Sequence, residues 1–162
     1  MKVLFLSLIC LVVFANVAVA QSEIKLKIGA KLPREYVKES QGQMATHPNQ
    51  FRPFIRKTIA DVNYIIAFDE ENRKIRWIYT MDEDFCTAKG LCVGSKIKVT
   101  RDQLKIYPTW YIYAPITSDG WLPVVGSSLL DGFDENSENS LSNLKNGEIR
   151  TVEISGFQKG GN

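Results

Sequence analysis

Two neighbouring apolar runs constrain the fold of this chain more than any other feature. Residues 59–68 are rich in Ile, Val, Tyr and Phe, and residues 74–80 place Ile75, Trp77 and Tyr79 at alternate positions. The residues between the runs, 69–72, are all polar. Because β-branched and aromatic residues favour strands, and a short polar interruption is typical of a hairpin, the sequence predicts an antiparallel hairpin here.

Further strands are predicted on both sides of this hairpin. Residues 23–28 alternate polar and apolar side chains, and residues 109–116 alternate with aromatic side chains on each face. The turn signal Ser118-Asp119-Gly120 predicts that a strand from Trp121 to Val125 returns beside residues 109–116 as a second hairpin. Residues 148–157 alternate imperfectly but favour a strand, whereas the polar residues 41–50 are predicted to be a loop.

Two short helices complete the predicted fold. Pro33 suits the first turn of a helix over residues 34–40. Thr100 and Gln103 match a capping box, which predicts a helix from Arg101 to about Ile106 that stops before Pro108. A chain of 162 residues suits one domain. The expected fold class is α+β, an antiparallel sheet of about five or six strands with two short helices on one face.

A short internal echo links the two halves of the chain. The segment Ile28-Gly29-Ala30-Lys31-Leu32 resembles Val93-Gly94-Ser95-Lys96-Ile97, and a predicted helix follows each of them. A tandem duplication leaves such an echo, but a motif this short also arises by chance, so both interpretations stay open.

The N-terminus carries the features of a signal peptide. Met1-Lys2 is basic, residues 3–15 are almost wholly apolar, and Ala18 and Ala20 fit an A-x-A cleavage site. The apolar run is shorter than the roughly 20 residues that a membrane span needs. We therefore expect residues 1–20 to be removed, leaving residues 21–162 as one secreted or periplasmic domain with no membrane span. A retained N-terminal anchor is the alternative.

The cysteines fit this compartment. Removal of the leader discards Cys10 and leaves Cys86 and Cys92, with a glycine among the five residues between them. An even number of cysteines in an exported chain predicts a disulfide, which would close a small loop. A redox or metal site is the alternative, but C-x5-C is not the C-x-x-C spacing, and no second cysteine pair is present.

Charge and motifs exclude several classes of function. The chain has 20 Lys and Arg against 18 Asp and Glu, which lacks the excess of positive charge that a nucleic-acid binder needs. The single histidine, His47, lies in a predicted loop, and no serine lies in a G-x-S-x-G motif. No phosphate loop or dinucleotide fingerprint occurs. We therefore predict no cofactor.

Carboxylates offer the remaining route to catalysis. They fall in three groups at predicted turns or loops, where solvated acids are common; the groups are Asp69, Glu70 and Glu71, then Asp82, Glu83 and Asp84, then Asp131, Asp134, Glu135 and Glu138. A hydrolase that uses paired carboxylates is the alternative function, with Asp82, Asp84 and Asp131 as its first candidates. The last group lacks the EF-hand spacing, so we predict no metal site.

Aromatic residues give the strongest indication of a binding surface. Seven Trp and Tyr residues lie within 45 positions, and neighbouring residues of one strand cannot point into one core. We therefore expect some rings at the surface, where aromatic side chains favour recognition. Half-buried tyrosines that merely expose their hydroxyls are the alternative. The predicted binding residues are Trp77, Tyr79, Trp110, Tyr111, Tyr113 and Trp121.

The middle of the chain resembles a known group of small exported domains. The stretch from Tyr64 to Val125 contains Phe85, Thr87, Gly90-Leu91 and Val93-Gly94-Ser95 in order, between a hairpin and aromatic strands. This passage resembles the bacterial domains related to the β-lactamase-inhibitor-protein fold and to outer-membrane assembly lipoproteins of the SmpA/OmlA type. The resemblance implies a module that binds other proteins without catalysis, and it implies no particular binding residue.

These observations predict an exported, non-enzymatic protein that recognises a protein partner. Its binding surface would combine the aromatic sheet face with the disulfide-braced loop. Besides the carboxylate-dependent hydrolase, a secreted enzyme inhibitor is an alternative, because it would use the same binding physics on a different partner.

Overall fold

A computed structural model describes residues 24–47, 50–106, 111–113, 119–127, 141 and 144–160. Antiparallel strands dominate this part of the chain. The strands are β1 (Gln43–His47), β2 (Gln50–Ile59), β3 (Val62–Phe68), β4 (Ile75–Thr80), β5 (Lys96–Thr100), β6 (Lys105–Ile106), β7 (Tyr111–Tyr113), β8 (Leu122–Ser127), β9 (Ile149–Glu153) and β10 (Gly156–Gly160).

The strands form two sheets. Eight of them pair in the order β1-β2-β3-β4-β10-β8-β7-β6, and β5 pairs with β9 in a separate two-stranded sheet. Every one of these pairings is antiparallel. The predicted antiparallel sheet is therefore confirmed, although it contains more strands than the five or six expected.

Both predicted hairpins are present. In the first, β3 pairs with β4, with Ile66 opposite Ile78, and in the second, β7 pairs with β8. The predicted strand over residues 59–68 is interrupted near its start, because Ala60 (φ 49°) and Asp61 (φ 63°) form a two-residue turn between β2 and β3. Two consecutive positive φ angles match the twist of the adjoining strands, so β2, β3 and β4 form a continuous meander.

The prediction of two short helices packed on one face is wrong. The segment 34–40 contains only a single-turn α-helix of four residues, α1 (Arg34–Val37), and the capping-box segment forms a three-residue 3-10 turn (Arg101–Gln103). The Gln103 side chain does accept a hydrogen bond from the Thr100 N–H (3.0 Å). Leu104 is nevertheless extended and buried, and β6 follows at once. Pairing of β6 with β7 therefore prevails over the local helix signal.

A tandem repeat is not supported either. The two glycine segments share a local backbone pattern, since Gly29 (φ 82°) and Gly94 (φ 83°) each donate to the carbonyl of an isoleucine, Ile75 and Ile154 respectively. The elements that follow differ, because the first segment leads into α1 and the second becomes β5. The similarity is therefore limited to two equivalent turns.

The N-terminal third departs most from expectation. Residues 24–28 lie outside the regular strands, and the predicted loop over residues 41–50 instead contains β1 and the start of β2. Pro53 is tolerated within β2 because of the direction of the neighbouring bonds. The Phe54 backbone bonds to Gln41 and Gly42, just before β1, so the Pro53 nitrogen points away from β1. Pairing of β2 with β3 begins only at Phe54, so no hydrogen bond is lost there.

The predicted strand over residues 148–157 is split between the two sheets. It contains β9 and the start of β10, and only Ile154 and Ser155 separate them. β9 joins β5, whereas β10 lies between β4 and β8 at the centre of the large sheet. The imperfect alternation of this segment therefore corresponds to a change of sheet.

Apolar side chains cover both faces of the large sheet. Ile66, Ile78 and Phe157 belong to the larger cluster, which also includes Leu32 and Tyr36 from the N-terminal segment. The smaller cluster contains Ala67, Trp77, Tyr79 and Val124. Within the described ranges, no helix is long and apolar enough to cross a membrane.

Gly156 allows β10 to fit between β4 and β8. A Cβ atom at this position would lie 2.7 Å from the Thr80 carbonyl oxygen and 3.2 Å from the Tyr79 ring. We expect Gly156→Ala to lower the free energy of unfolding by about 1–3 kcal/mol, because backbone and a buried ring must both move. Urea unfolding would measure the loss. Gly147→Ala is a poor control because its φ is positive. Glu153→Ala, at an exposed position of β9, serves instead. Equal stability of parent and Gly156→Ala would contradict the prediction.

Candidate functional site

The cysteine pair closes a loop with a short ladder of its own. Cys86 lies opposite Cys92 in an isolated antiparallel bridge, and a disulfide joins them. On one side of this pair the Val93 N–H donates to the Phe85 carbonyl (3.1 Å), and on the other the Thr87 N–H donates to the Leu91 carbonyl (2.8 Å). The predicted disulfide is confirmed, and hydrogen bonds brace the loop on both sides of it.

The tip of the loop is exposed but well ordered by its own bonds. Thr87 is buried, and its hydroxyl accepts a hydrogen bond from the Leu91 N–H (3.2 Å). The Gly90 N–H donates to the Thr87 carbonyl (2.8 Å), and Gly90 has φ 78°, a conformation that glycine adopts readily. Ala88, Lys89 and Gly90 are all exposed. The loop therefore presents a short, preorganised tip to solvent.

A second turn holds this tip from the side. The Ala88 N–H donates to the Asp119 carboxylate (3.0 Å). The Asp119 carbonyl in turn accepts a hydrogen bond from the Lys159 ammonium (2.7 Å), which also lies 5.5 Å from the Trp121 ring centroid. These contacts join the disulfide loop, the turn before β8 and the end of β10 into one surface. We name Ala88, Lys89, Gly90, Asp119 and Trp121 the loop–tryptophan corner.

Trp121 anchors this corner to the core. Its half-buried ring packs edge-on against Phe85, with centroids 4.8 Å apart and planes at 65°. Phe85 also contacts Phe157 (5.1 Å) and Tyr64 (6.2 Å). Because Phe85 immediately precedes Cys86, the same residue ties both the ring and the loop to the centre of the sheet. The Trp121 ring and the disulfide loop are therefore held side by side through Phe85.

The other predicted binding residues are placed differently. Trp77 is 1% exposed and Tyr79 is 0% exposed, and their rings stack at 5.2 Å. The Trp77 indole N–H donates to the Gln158 side-chain oxygen (2.7 Å) in the interior. A partner cannot reach either ring while the sheet is intact, so we do not include them in the proposed surface. The backbone of Tyr111 and Tyr113 forms β7, and Trp110 lies outside the described residues.

Asp82, a candidate for the alternative hydrolase, is occupied by structural hydrogen bonds. It accepts from the Asn63 backbone N–H (2.8 Å), from the Asn63 side chain (2.6 Å) and from the Asp84 N–H (3.1 Å). The bonds from the Asn63 and Asp84 backbones lower the pKa of the Asp82 carboxyl below its usual range. Asp131 and its neighbours at 134, 135 and 138 lie outside the described residues.

A shallow cleft brings other carboxylates together. It has a volume of about 300 Å³ and lies between the β1–β2 hairpin and the loop after β3, with Asp69, Glu70 and Glu71 among its lining residues. Asp69 forms ion pairs with Arg52 and Arg76. Burial acts to raise the pKa of Asp69, but hydrogen bonds from Arg76 and Asn72 outweigh it and lower the pKa. A general acid needs a raised pKa, so Asp69 is poorly suited to that role.

The described part of the chain offers little to a metal ion. No group of three His, Cys, Asp or Glu side chains in it is close enough to hold one. The single histidine, His47, ends β1 rather than lying in the predicted loop.

The sequence predicts that the cysteine loop and the aromatic residues, Trp121 among them, form one binding surface, but it gives no indication of Asp119 or Lys159. In the sequence Asp119 is only part of a turn signal, whereas in the structure its carboxylate accepts a hydrogen bond from the Ala88 N–H, 31 positions away. Asp at a turn next to an aromatic residue is too common a pattern to reveal such a contact.

No protein-family model, no curated protein and no solved structure matches this chain. The resemblance to the inhibitor-protein and SmpA/OmlA domains therefore stays a prediction.

Proposed function

We propose that this is an exported, non-enzymatic binding protein that recognises a protein partner through the loop–tryptophan corner. The observation that supports this most is the preorganisation of an exposed loop tip. The disulfide, the paired backbone bonds and the Asp119 carboxylate all restrain Ala88, Lys89 and Gly90 before any partner arrives. Ordering these residues on binding therefore costs little conformational entropy, which favours affinity.

The chemistry of the corner suits a protein interface. Trp121 offers a large amphipathic ring, and tryptophan is enriched among the residues that dominate binding energy. Lys89 is exposed and forms no ion pair within the described residues, so its charge is available to a carboxylate of the partner. Tyr111 and Tyr113 lie on β7, which pairs with β8, and we keep them with Trp110 as the predicted extension of this surface.

Trp121→Ala tests this proposal. We expect the variant to fold and to bind its partner at least about tenfold more weakly, because it loses the ring that forms the aromatic edge of the surface. The partner would be captured from the native medium with immobilised parent protein, identified by mass spectrometry and then titrated against each variant. Circular dichroism and urea unfolding would verify that the fold is retained.

Phe51→Ala is the matched control. Phe51 is 68% exposed at the start of β2, so this variant also removes an accessible aromatic ring, but from outside the corner. We expect it to keep the parent affinity. Equal affinity of parent, Trp121→Ala and Lys89→Ala for the captured protein would overturn the proposed site. Trp110→Ala and Tyr111→Ala extend the same titration to the predicted sheet face.

A further inference from the structure

Positive side chains lie together where the N-terminal segment meets the start of β4. Lys31 is directly opposite Lys74 in an isolated antiparallel bridge, and both residues are exposed. The Leu32 N–H donates to the Arg73 carbonyl (2.8 Å), and the Ile75 N–H donates to the Ala30 carbonyl (2.9 Å). Because these bonds flank the bridge, Lys31 and Lys74 form a non-hydrogen-bonded pair, in which opposite side chains lie closest together.

This arrangement carries two energetic costs at one place. Like charges directly opposite each other on neighbouring strands are destabilising. Arg73, the next residue, has φ 60°, in the left-handed region that residues other than glycine seldom occupy. Its guanidinium donates to the Leu32 carbonyl (3.3 Å), which places a third positive group beside Lys31. The like charges of Lys31 and Lys74 therefore do not stabilise the fold, which favours a role for them in binding.

The nearby acids do not neutralise this group. Asp69 lies beside the group, since its backbone bonds to those of Arg73 and Lys74, but its carboxylate is paired with Arg52 on β2 and Arg76 on β4. In the part of the chain that the structure covers, no carboxylate is within ion-pair distance of Lys31, Arg73 or Lys74, and that includes Glu70 and Glu71 of the same loop. The positive charge is therefore available to an external anion.

We propose that this cationic surface binds the anionic headgroups of a phospholipid bilayer. Lys25 and Lys27, which are also exposed, precede Lys31 on the same segment and extend the charge. Sites for small ligands are concave, whereas these lysines are spread over an exposed segment and a strand end, which suits an extended anionic surface. Each lysine near such a bilayer adds to its attraction. This inference does not depend on the loop–tryptophan corner.

Vesicle co-sedimentation tests this inference. The purified protein would be mixed with vesicles of phosphatidylcholine alone or with equal parts of phosphatidylglycerol. Any apolar contribution to binding is common to both vesicles, so their difference isolates the electrostatic part. We expect binding to the anionic vesicles to exceed binding to the neutral ones and to weaken as salt is added. Equal binding to both vesicles would overturn the proposal.

Lys31→Glu separates function from stability. It reverses one charge of the surface, so we expect partitioning onto anionic vesicles to fall about 30-fold. It also creates an opposite-charge pair with Lys74, so we expect the melting temperature to rise by about 1–3 °C. Lys98→Glu on β5 makes the same change in net charge and should alter neither measurement greatly. Equal vesicle binding by the two variants would overturn the proposal. So would loss of vesicle binding by the parent when inorganic phosphate is added at unchanged ionic strength.

Discussion

Phe157→Ala is expected to lower the free energy of unfolding by about 3–5 kcal/mol. Phe157 is 0% exposed and lies on β10, opposite Thr80 of β4 on one side and Pro123 of β8 on the other. Its ring contacts Phe85, with centroids 5.1 Å apart. Truncation would therefore leave a cavity between the central strands and the base of the disulfide loop. Urea unfolding followed by tryptophan fluorescence and circular dichroism measures the loss.

Two further variants make this result interpretable. Phe51→Ala removes the same atoms from a ring that is 68% exposed, and we expect a change within about 0.5 kcal/mol. Phe157→Leu retains most of the buried volume, so its loss should stay below about 1.5 kcal/mol and should be measurable even if Phe157→Ala fails to fold. Similar unfolding midpoints for Phe157→Ala and Phe51→Ala would show that β10 is not central to the core.

Features set by neighbouring residues were predictable from the sequence. The β3–β4 hairpin followed from two β-rich runs and a polar turn, all within about 20 positions, and the loop that Cys86 and Cys92 close spans only seven residues. In each case the residues that specify the structure also contact one another, so local propensity and final packing agree.

Features set by distant partners were not predictable. The segment after Thr100 carries a capping box, but Leu104 is extended and buried and does not continue a helical turn. Likewise, residues 43–47 look like a polar loop and become a strand only because β2 pairs with them. Tertiary pairing overrides local propensity in both cases.

The candidate site shows the same division. Aromatic spacing predicts Trp77, Tyr79 and Trp121 alike as binding residues. Alternation along a strand does not show, however, which face of a sheet is covered by other residues. Both faces of this sheet carry buried clusters, so Trp77 and Tyr79 are interior. Trp121 precedes β8 and stays half-buried, where Lys159 and Phe85 contact it. Those contacts come from two other parts of the chain.

Replacement of both Cys86 and Cys92 by alanine is expected to lower the free energy of unfolding by about 2.4 kcal/mol, because the unfolded chain is released from a seven-residue ring. The fold should persist, since the backbone bonds between Phe85 and Val93 and between Thr87 and Leu91 do not depend on the sulfur atoms. Reduced parent protein should show the same loss in urea, whereas Lys89→Ala, which keeps the ring closed, should unfold as the parent does.

The same double variant links stability to recognition. A loop held only by hydrogen bonds samples more conformations. Binding of the captured partner must then order Ala88, Lys89 and Gly90, and this loss of conformational entropy opposes binding. We therefore expect weaker affinity, with a larger loss of entropy on binding than for the parent, as isothermal titration calorimetry would measure. A variant that loses stability but binds with the parent's affinity and entropy would show that the disulfide serves the fold alone, and that the partner does not depend on the loop.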